Sequence, residues 1–374
     1  MARLENVCEI LDSKRVPITA KDRVAGPYPY YGANGVQDYV AEYIFDDELV
    51  LLAEDGGHFG SADKPIAYRV SGKCWVNNHA HVLKAKDCID IDYLCYSLMF
   101  RDVSDIVNGA TRQKLTQADM RKIEIPLLPI EEQKSVVAKI SKVFELITLR
   151  KEQLAKLDQL VKSRFIELFG DLASPECKWL KEKLVDACAD SDDIKCGPFG
   201  TQLSKDEYQS EGIAIWEIPQ INSRFTTIPT HYLSESKAKQ LEAYSIKAGD
   251  IAMSRKGNVG KCAVFPAVYE EGIIHSDVLR IRVDSKRVLP IFMMHQLHYS
   301  GAVQHQIELV SSGAIMAGIN VTKLKQIFVH IPPIELQSRF VTFVEQTDKS
   351  KLAIQQRLDK LELLKKSLMQ EYFG

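Results

Sequence analysis

Residues 129–142 read PIEEQKSVVAKISK, and residues 333–346 read PIELQSRFVTFVEQ. The second stretch starts 204 positions after the first (333 against 129). At the same offset, with no gap, Leu154 meets Leu358, Leu157 meets Leu361 and Leu160 meets Leu364. Lys162-Ser163 then falls on Lys366-Ser367, Glu167 on Glu371, and Phe169-Gly170 on Phe373-Gly374. Upstream, Gly109-Ala110 pairs with Gly313-Ala314, and Ile123 with Ile327. Self-similarity at a fixed period governs the architecture before any local reading does. The chain is an internal duplication.

The repeated tract predicts a long helix. Val136, Ile140, Val143, Ile147, Leu154, Leu157 and Val161 recur at spacings of three and four, broken at Arg150. Phe340, Val344, Ile354, Leu358 and Leu361 keep much of that stripe in the second copy, with Thr347 and Lys351 interrupting it. Such spacing over several heptads is a coiled-coil seam. Prolines open each tract (Pro126 and Pro129, Pro332 and Pro333), and Gly170 and Gly374 close them. Some 40 residues at 1.5 Å each span about 60 Å. That is a strut rather than the core of a small domain, and the two copies are expected to pair antiparallel.

The remaining segments, 1–128 and 171–332, hold short apolar runs such as DELVLLAE, AYRVSGKCWV, DIAMSRKG and VLRIRVD. Alternating β-branched residues with glycine punctuation indicate strands. The expected fold class is α+β: two globular mixed α/β domains, 1–128 and 171–332, each followed by a helical spacer, 129–170 and 333–374. The globular parts echo each other faintly. LENVC (4–8) resembles LVDAC (184–188), EDGGHFG (54–60) aligns with SRKGNVG (254–260), and NNHAHVL (77–83) with IIHSDVL (273–279). Here Glu54 stands opposite Ser254.

Composition excludes several classes of function. Lys and Arg total 48 against 50 Asp and Glu in 374 residues, so this is no polycationic nucleic-acid coat. No run of about 18 apolar residues offers a membrane span, and MARLENVCEILDSK (1–14) lacks the apolar centre of a signal peptide. None of the eight cysteines forms a C-x-x-C pair, which fits a reducing cytoplasm. GNVGK (257–261) ends like a phosphate-binding loop, but Cys262 stands where Ser or Thr is needed. No G-x-G-x-x-G follows a strand, and no NPPY-type tetrapeptide of amino-methyltransferases occurs. His79 and His81 would share a strand face, yet no third residue stands at metal-ligand spacing. Glu54, Asp55 and His58 could serve as an acid–base set, but the second copy offers Ser254, Arg255, Lys256 and Asn258 instead. Catalytic sets do not change chemistry between copies; contacts to base edges do.

Several motifs then act together: GPYPYYGANG (26–35), G-D-x-x-x-S-R-x-G-x-x-G (249–260), GPFG (197–200), P-I-E-x-Q at Pro129 and Pro333, and L-x-x-L-x-x-L-x-K-S (358–367). In their order, spacing and duplication the chain resembles the specificity (S) subunit of type I restriction-modification systems over essentially its full length. The resemblance implies two target recognition domains, each reading one half of a bipartite, asymmetric site on double-stranded DNA. The paired helices would set the gap between the halves; about 60 Å of helix compares with roughly 34–36 Å per DNA turn. It also implies a non-catalytic chain whose helices dock methyltransferase (M) subunits, two per S chain. These methylate adenine N6, and restriction (R) subunits join for cleavage. S-adenosylmethionine, ATP and Mg would belong to those partners, so this chain would bind no cofactor or metal. The loop at EDGG departs from SRKG, so the two domains need not share contact chemistry there.

Base edges are read by amide, imidazole and guanidinium groups, while basic groups on phosphates supply affinity. In the first domain the candidates are Tyr31 and Asn34 in the glycine-bounded loop, then Asn77, Asn78, His79 and His81, then Arg112, Gln113 and Lys114. In the second they are Gln202, Lys205, Arg255, Lys256, Asn258, Lys261, His275 and Ser276. Tyr28 and Tyr30, beside prolines, are expected to pack. Residues 1–128 hold 15 basic and 19 acidic side chains, so affinity is expected to come largely from an assembled complex. Two other readings stay open: a metal-dependent nuclease using Asp55 and His58, and a coiled-coil scaffold whose heads bind protein.

Overall fold

The computed structural model describes residues 1–109, 113–174, 176–311 and 318–374. Four helices carry the architecture: α1 (Ile91–Met99), α2 (Ile130–Phe169), α3 (Pro290–Tyr299) and α4 (Ile334–Phe373). α2 and α4 are the duplicated stripes, each an unbroken 40 residues. Each begins on a proline carbonyl: the amide of Gln133 donates to Pro129 O (3.0 Å) and that of Gln337 to Pro333 O (3.2 Å). Gly170, at φ 75°, ends α2 in the left-handed conformation that glycine adopts without steric cost.

Packing divides the chain differently from the expected segments. Unit 1 is Met1–Gln153 with Ile354–Gly374, and unit 2 is Leu154–Ala353. Each unit thus holds one globular head, the front half of the helix that follows it and the rear half of the other long helix. The elements begin and end near the expected boundaries, but the buried contacts cut α2 and α4 in the middle.

Unit 1 contains a six-stranded sheet in the spatial order Cys8–Ile10, Ala80–Ala85, Phe45–Ala53, Ala67–Val76, Ala25–Gly32, Gly35–Val40. The run LVLLA (49–53) sits near its centre because both of its faces are covered. Leu49 and Leu51 face a cluster with Phe45, Val70 and Val82. Val50 and Leu52 face the other way, into a core completed by Tyr93 and Leu94 of α1, Val136 and Ile140 of α2, and Phe373 of α4.

Unit 2 replaces that sheet with two of four strands. One runs Ile194–Cys196, Val278–Ile281, Ile251–Ser254, Cys262–Val264; the other runs Tyr232–Leu233, Ile213–Trp216, Gly272–Ile274, Ser245–Ile246. The first sheet packs on Phe292 and Met293 of α3, Val161, Phe165 and Phe169 of α2, and Phe340 and Val344 of α4.

The repeated residues do the same work in both units. Leu4 and Leu184 are fully buried, and their amides reach Ile123 O (2.9 Å) and Ile327 O (2.8 Å). The glutamine of P-I-E-x-Q is wholly buried in each copy. Gln133 Oε1 accepts from the Asp90 amide at the start of α1 (2.8 Å), while its Nε2 donates to Cys88 O (3.1 Å) and Leu128 O (2.7 Å). Gln337 Oε1 accepts from the Leu289 amide at the start of α3 (2.8 Å), and its Nε2 donates to Arg287 O (3.0 Å) and Pro332 O (2.8 Å). One side chain therefore satisfies three buried backbone groups and ties the head to its long helix.

Within each unit the long helices run antiparallel. In unit 1, Lys139 meets the Tyr372 hydroxyl (3.2 Å) and Lys151 pairs with Glu362 (2.9 Å). In unit 2, Lys351, which interrupts the apolar stripe, pairs with Asp158 (2.6 Å), and buried Thr347 donates to Phe343 O one turn back (2.9 Å). Along the two long helices Leu149, Leu160, Ile166, Leu352, Leu363 and Leu364 are exposed. Among the described residues, no helix is long and apolar enough to cross a membrane.

Candidate nucleic-acid interface

In unit 1 three connections converge at one end of the sheet: the turn 32–35, the loop that follows Ala53, and the turn 77–79. Asn34 Nδ2 donates to Gly56 O (3.0 Å), and the Gly56 amide is 3.4 Å from Gln113 O. The Glu54 amide donates to His79 O (2.9 Å), and its carbonyl accepts from the Leu115 amide (2.7 Å). His79 Nδ1 lies 2.8 Å from Asp55 Oδ1, and Lys114 Nζ lies 2.9 Å from Glu54 Oε1. Asn34, Asn78, Gln113 and Lys114 are exposed here and His79 is half-buried, so five of the expected contacts share one surface. Arg112 lies outside the described residues.

Three other expected contacts turn inward. His81 is fully buried, with Nδ1 2.6 Å from Asp12 Oδ2 and Nε2 2.9 Å from Leu115 O. Asn77 is buried and braces the turn: its Nδ2 donates to Gln37 Oε1 (3.0 Å) and its Oδ1 accepts from the His79 amide (2.8 Å). Both are framework groups rather than base contacts. Tyr31 is half-buried, its ring 5.9 Å from that of Tyr68, and burial raises its pKa. Tyr30 is buried as expected, with the Arg23 guanidinium 4.2 Å over its ring.

Ligand-capable atoms of Asp12, Glu54 and His81 come within 4.8 Å of one another, a set the sequence did not reveal. All three are already engaged. Arg15 Nη1 lies 2.5 Å from Glu54 and 2.7 Å from Ala80 O, and Gln117 Nε2 donates to Asp12 (2.9 Å). Burial alone would raise the pKa of Asp12, but hydrogen bonds from His81, the Val82 amide and Gln117 outweigh it and leave the pKa below the ordinary carboxylate value. Glu54 is likewise held low, Arg15 and Lys114 overriding its burial. The network pins the loops that carry the exposed contacts. Asp55, offered to His58 in the nuclease reading, pairs with His79 instead.

Unit 2 builds the corresponding loop with opposite charges. The Arg255 amide donates to Asp277 O (2.9 Å), and its carbonyl accepts from the Ile319 amide (3.2 Å). These bonds place Arg255 where Glu54 stands in unit 1, and Lys256 where Asp55 stands. Gly56 (φ 64°) and Gly257 (φ 68°) follow in the same left-handed conformation. The expected alignment of Glu54 with Ser254 is therefore off by one. The reason is an extra residue in the first loop: its left-handed glycines are Gly56 and Gly60, against Gly257 and Gly260 in the second.

Arg255, expected to read guanine, is largely consumed. Its Nε donates to Ile319 O (3.2 Å), its Nη1 to Ser276 O (3.2 Å), and its guanidinium lies 4.8 Å over the Phe199 ring. Lys256 pairs with Asp277 at 2.8 Å, and His275 Nδ1 accepts from the Asp277 amide (3.1 Å). Gln202 Oε1 accepts from the Phe199 amide (3.2 Å) and the Tyr244 hydroxyl (3.0 Å). The structure thus gathers Arg255, Lys256, His275 and Ser276 around Asp277, with Gln202 linked through Phe199. Lys205 and Asn258 are exposed and Lys261 half-exposed, without side-chain partners among the described residues.

Comparison with known proteins agrees with this architecture. The family model described as the type I restriction modification DNA specificity domain matches residues 1–159 and again 194–363. S.HindORF215P of Haemophilus influenzae, named as a type I restriction enzyme specificity subunit, is 27% identical over 380 residues, covering 98% of this chain and 94% of that protein. The MjaVIII specificity subunit of Methanocaldococcus jannaschii is 20% identical over 392 residues, covering 99% and 90%. In fold, the chain is similar to the crystal structure of the S subunit from the type I restriction-modification system of M. genitalium. That likeness has a TM-score of 0.63 at 13% identity and covers 100% of this chain and 95% of that one.

Proposed function

The chain belongs to the type I restriction modification DNA specificity family, as a specificity subunit, and from that premise we propose that each globular head reads one half of a split, asymmetric DNA target. The observation that carries the reading is the duplicated frame. One buried glutamine clamp joins each head to a long helix, while the loops at the heads' surfaces carry unlike side chains. A frame repeated with changed contact chemistry suits two readers of different sequences on one ruler. Asn34, Asn78, His79, Gln113 and Lys114 are the groups offered by the first head, and Lys256, Asn258, Gln202 and His275 those offered by the second.

The long helices act as spacer and as dock. Their exposed leucines and Ile166 form apolar ground suited to helices of methyltransferase subunits, one on each similar end, giving two per chain. Methylation at adenine N6 and ATP-dependent cleavage then belong to methyltransferase and restriction subunits, which bind S-adenosylmethionine, Mg and ATP. This chain contributes recognition and no chemistry, in the cytoplasm where the DNA is. The test is methylome sequencing of cells that express the chain with its methyltransferase subunit. A split motif methylated in both halves, lost on deletion of this chain, is the expected result. Exchanging one head should change one half of the motif and leave the other. A motif that survives deletion of the chain would overturn the reading.

A further inference from the structure

Unit 2 carries a second concentration of charge, built on a strained turn. Arg224 (φ 52°) and Phe225 (φ 61°) are the only non-glycine residues with positive φ among those described. L-residues avoid this region unless their surroundings impose it. Here they do. The Phe225 ring sits 5.4 Å from Trp216 and 5.1 Å from Phe265, its amide donates to Gln220 O (2.7 Å), and its carbonyl accepts from the Tyr269 hydroxyl (2.8 Å). Gln220 is itself buried and donates to Ile228 O (3.0 Å). The Arg224 amide donates to Ile221 O (3.0 Å), and the outcome of this expensive geometry is an exposed guanidinium with no hydrogen bond or ion pair to any described residue.

Two further lone cations stand nearby. Cys262 Sγ lies 3.8 Å from Met294 O, so Lys261, one residue earlier, abuts α3. One turn beyond Met294 that helix exposes His298, whose neighbour Tyr299 has its ring 6.2 Å from Phe165 of α2. Lys162 is exposed one turn before Phe165. Burial lowers the His298 pKa, and the charges of Arg224 and Lys261 lower it further; Asp158 pulls the other way by more than Lys162 adds. Asp158 is engaged by Lys351 (2.6 Å), which also approaches Asp348 (3.5 Å). Arg224, Lys261 and Lys162 thus present unneutralised positive charge around one end of α3, in a chain whose net charge is -2.

We propose that Arg224, Lys261 and Lys162, flanking His298, grip the phosphodiester backbone of the duplex that unit 2 reads. This rests on the reading of the chain as a DNA-specificity subunit and adds to it the groups that position the duplex without reading sequence. Long flexible cations suit phosphates, and left-handed strain at Arg224 is a cost that an anionic partner explains.

The test measures duplex binding by the full chain, complexed with its methyltransferase subunits, between 50 and 200 mM salt. Each phosphate contact contributes about 0.9 to the slope of log affinity against log salt. Arg224→Ala and Lys261→Ala should each lower that slope by about 0.9, and affinity about fivefold at 0.15 M salt, equally on target and random duplexes. The double variant should lose about 30-fold, and Arg224→Lys should retain the slope. The methylated motif should not change. Arg224→Gly should bind like Arg224→Ala yet melt about 2 °C higher, because glycine relieves the strain. An unchanged slope in both alanine variants overturns the proposal. So does loss of the methyltransferase subunits on purification, which would assign the patch to an acidic protein surface. If the wild-type complex prefers no sequence, the specificity reading itself fails; a wild type that discriminates with variants that match it defeats the grip alone.

Discussion

Asp55 and Lys256 occupy the same place in the two halves of the molecule and carry opposite charge. Asp55 faces His79 at 2.8 Å, and Lys256 faces Asp277 at 2.8 Å, the partner in each case standing beside the strand that returns through the sheet. The preceding residue is inverted too. Glu54 is held by Arg15 and Lys114, whereas Arg255 is held by carbonyls of Ile319 and Ser276. The backbone bonds around the loop are shared, so the scaffold constrains geometry and leaves sign free. A duplicated binding protein can change what each half meets by exchanging charges within one frame. The halves should therefore respond alike where the frame is cut and differently where their private charges are titrated.

The largest difference concerns acid. In unit 2, His295 is 5% exposed, neither ring nitrogen has a hydrogen-bond partner among the described residues, and burial lowers its pKa to about 3. An unfolded histidine titrates near pH 6.5. Below that pH the unfolded chain takes up a proton that the folded unit refuses, so stability present above about pH 6.5 drains until about pH 3. At about 1.4 kcal/mol per pH unit the loss reaches about 5 kcal/mol. In unit 1, Asp12 and Glu54 are held below the ordinary carboxylate value, so their contribution is intact above about pH 4 and is lost only as pH falls through their lower folded values. Tryptophan separates the two units, since Trp75 is in unit 1 and Trp179 and Trp216 are in unit 2. Urea unfolding of W75F, which reports unit 2, should weaken by about 3 kcal/mol between pH 7 and pH 4.5. His295→Phe, keeping the stack on Tyr299, should flatten that dependence. A W75F chain equally stable at both pH values would remove the contrast.

What could be read in the sequence, and what could not, follows the same division. The helices, their ends and the duplication were legible because Gln133 and Gln337, or Leu4 and Leu184, do identical work and so remain identical. The inward turn of Asn77 and His81 was not legible. A strand covered on both faces shows no polar alternation to tell surface from core. Nor could sequence reveal that Arg255 spends its donors on Ile319 and Ser276, 64 and 21 positions away, since backbone carbonyls leave no compositional mark. The one-residue slip at the loop arose because two glycines matched in each copy while the spacing between the left-handed ones differed. Arg224 carries no signal at all: its conformation is imposed by Phe225 in an aromatic box assembled from distant strands.

The frame can be cut at the glutamine clamps, where the halves should agree. Gln133→Ala leaves the Asp90 amide and the carbonyls of Cys88 and Leu128 without partners; Gln337→Ala does the same to Leu289, Arg287 and Pro332. At about 1 kcal/mol or more for each orphaned group, either change should cost about 3 kcal/mol. Each should act on its own unit, read through Trp75 or through Trp216. A loss in one unit and none in the other would show that the repeated motif has parted in function as well as in surroundings.

The smallest effect tests the inverted pair directly. Lys256 and Asp277 are 43% and 27% exposed at their side chains, so solvent discounts their attraction to about 0.5–1 kcal/mol. Lys256→Asp sets two carboxylates together and should cost about 1 kcal/mol in unit 2. Adding Asp277→His rebuilds the pair found at Asp55 and His79, and should recover most of that loss because the backbone there already matches unit 1. The coupling from such a double-mutant cycle measures how interchangeable the two loops are. If the double variant is restored in stability while the second half of the methylated motif changes and the first does not, the frame tolerates either sign and the sign belongs to recognition. If instead stability does not return, the charge at this position is part of the fold of unit 2, and its difference from unit 1 says nothing about the DNA that each half meets.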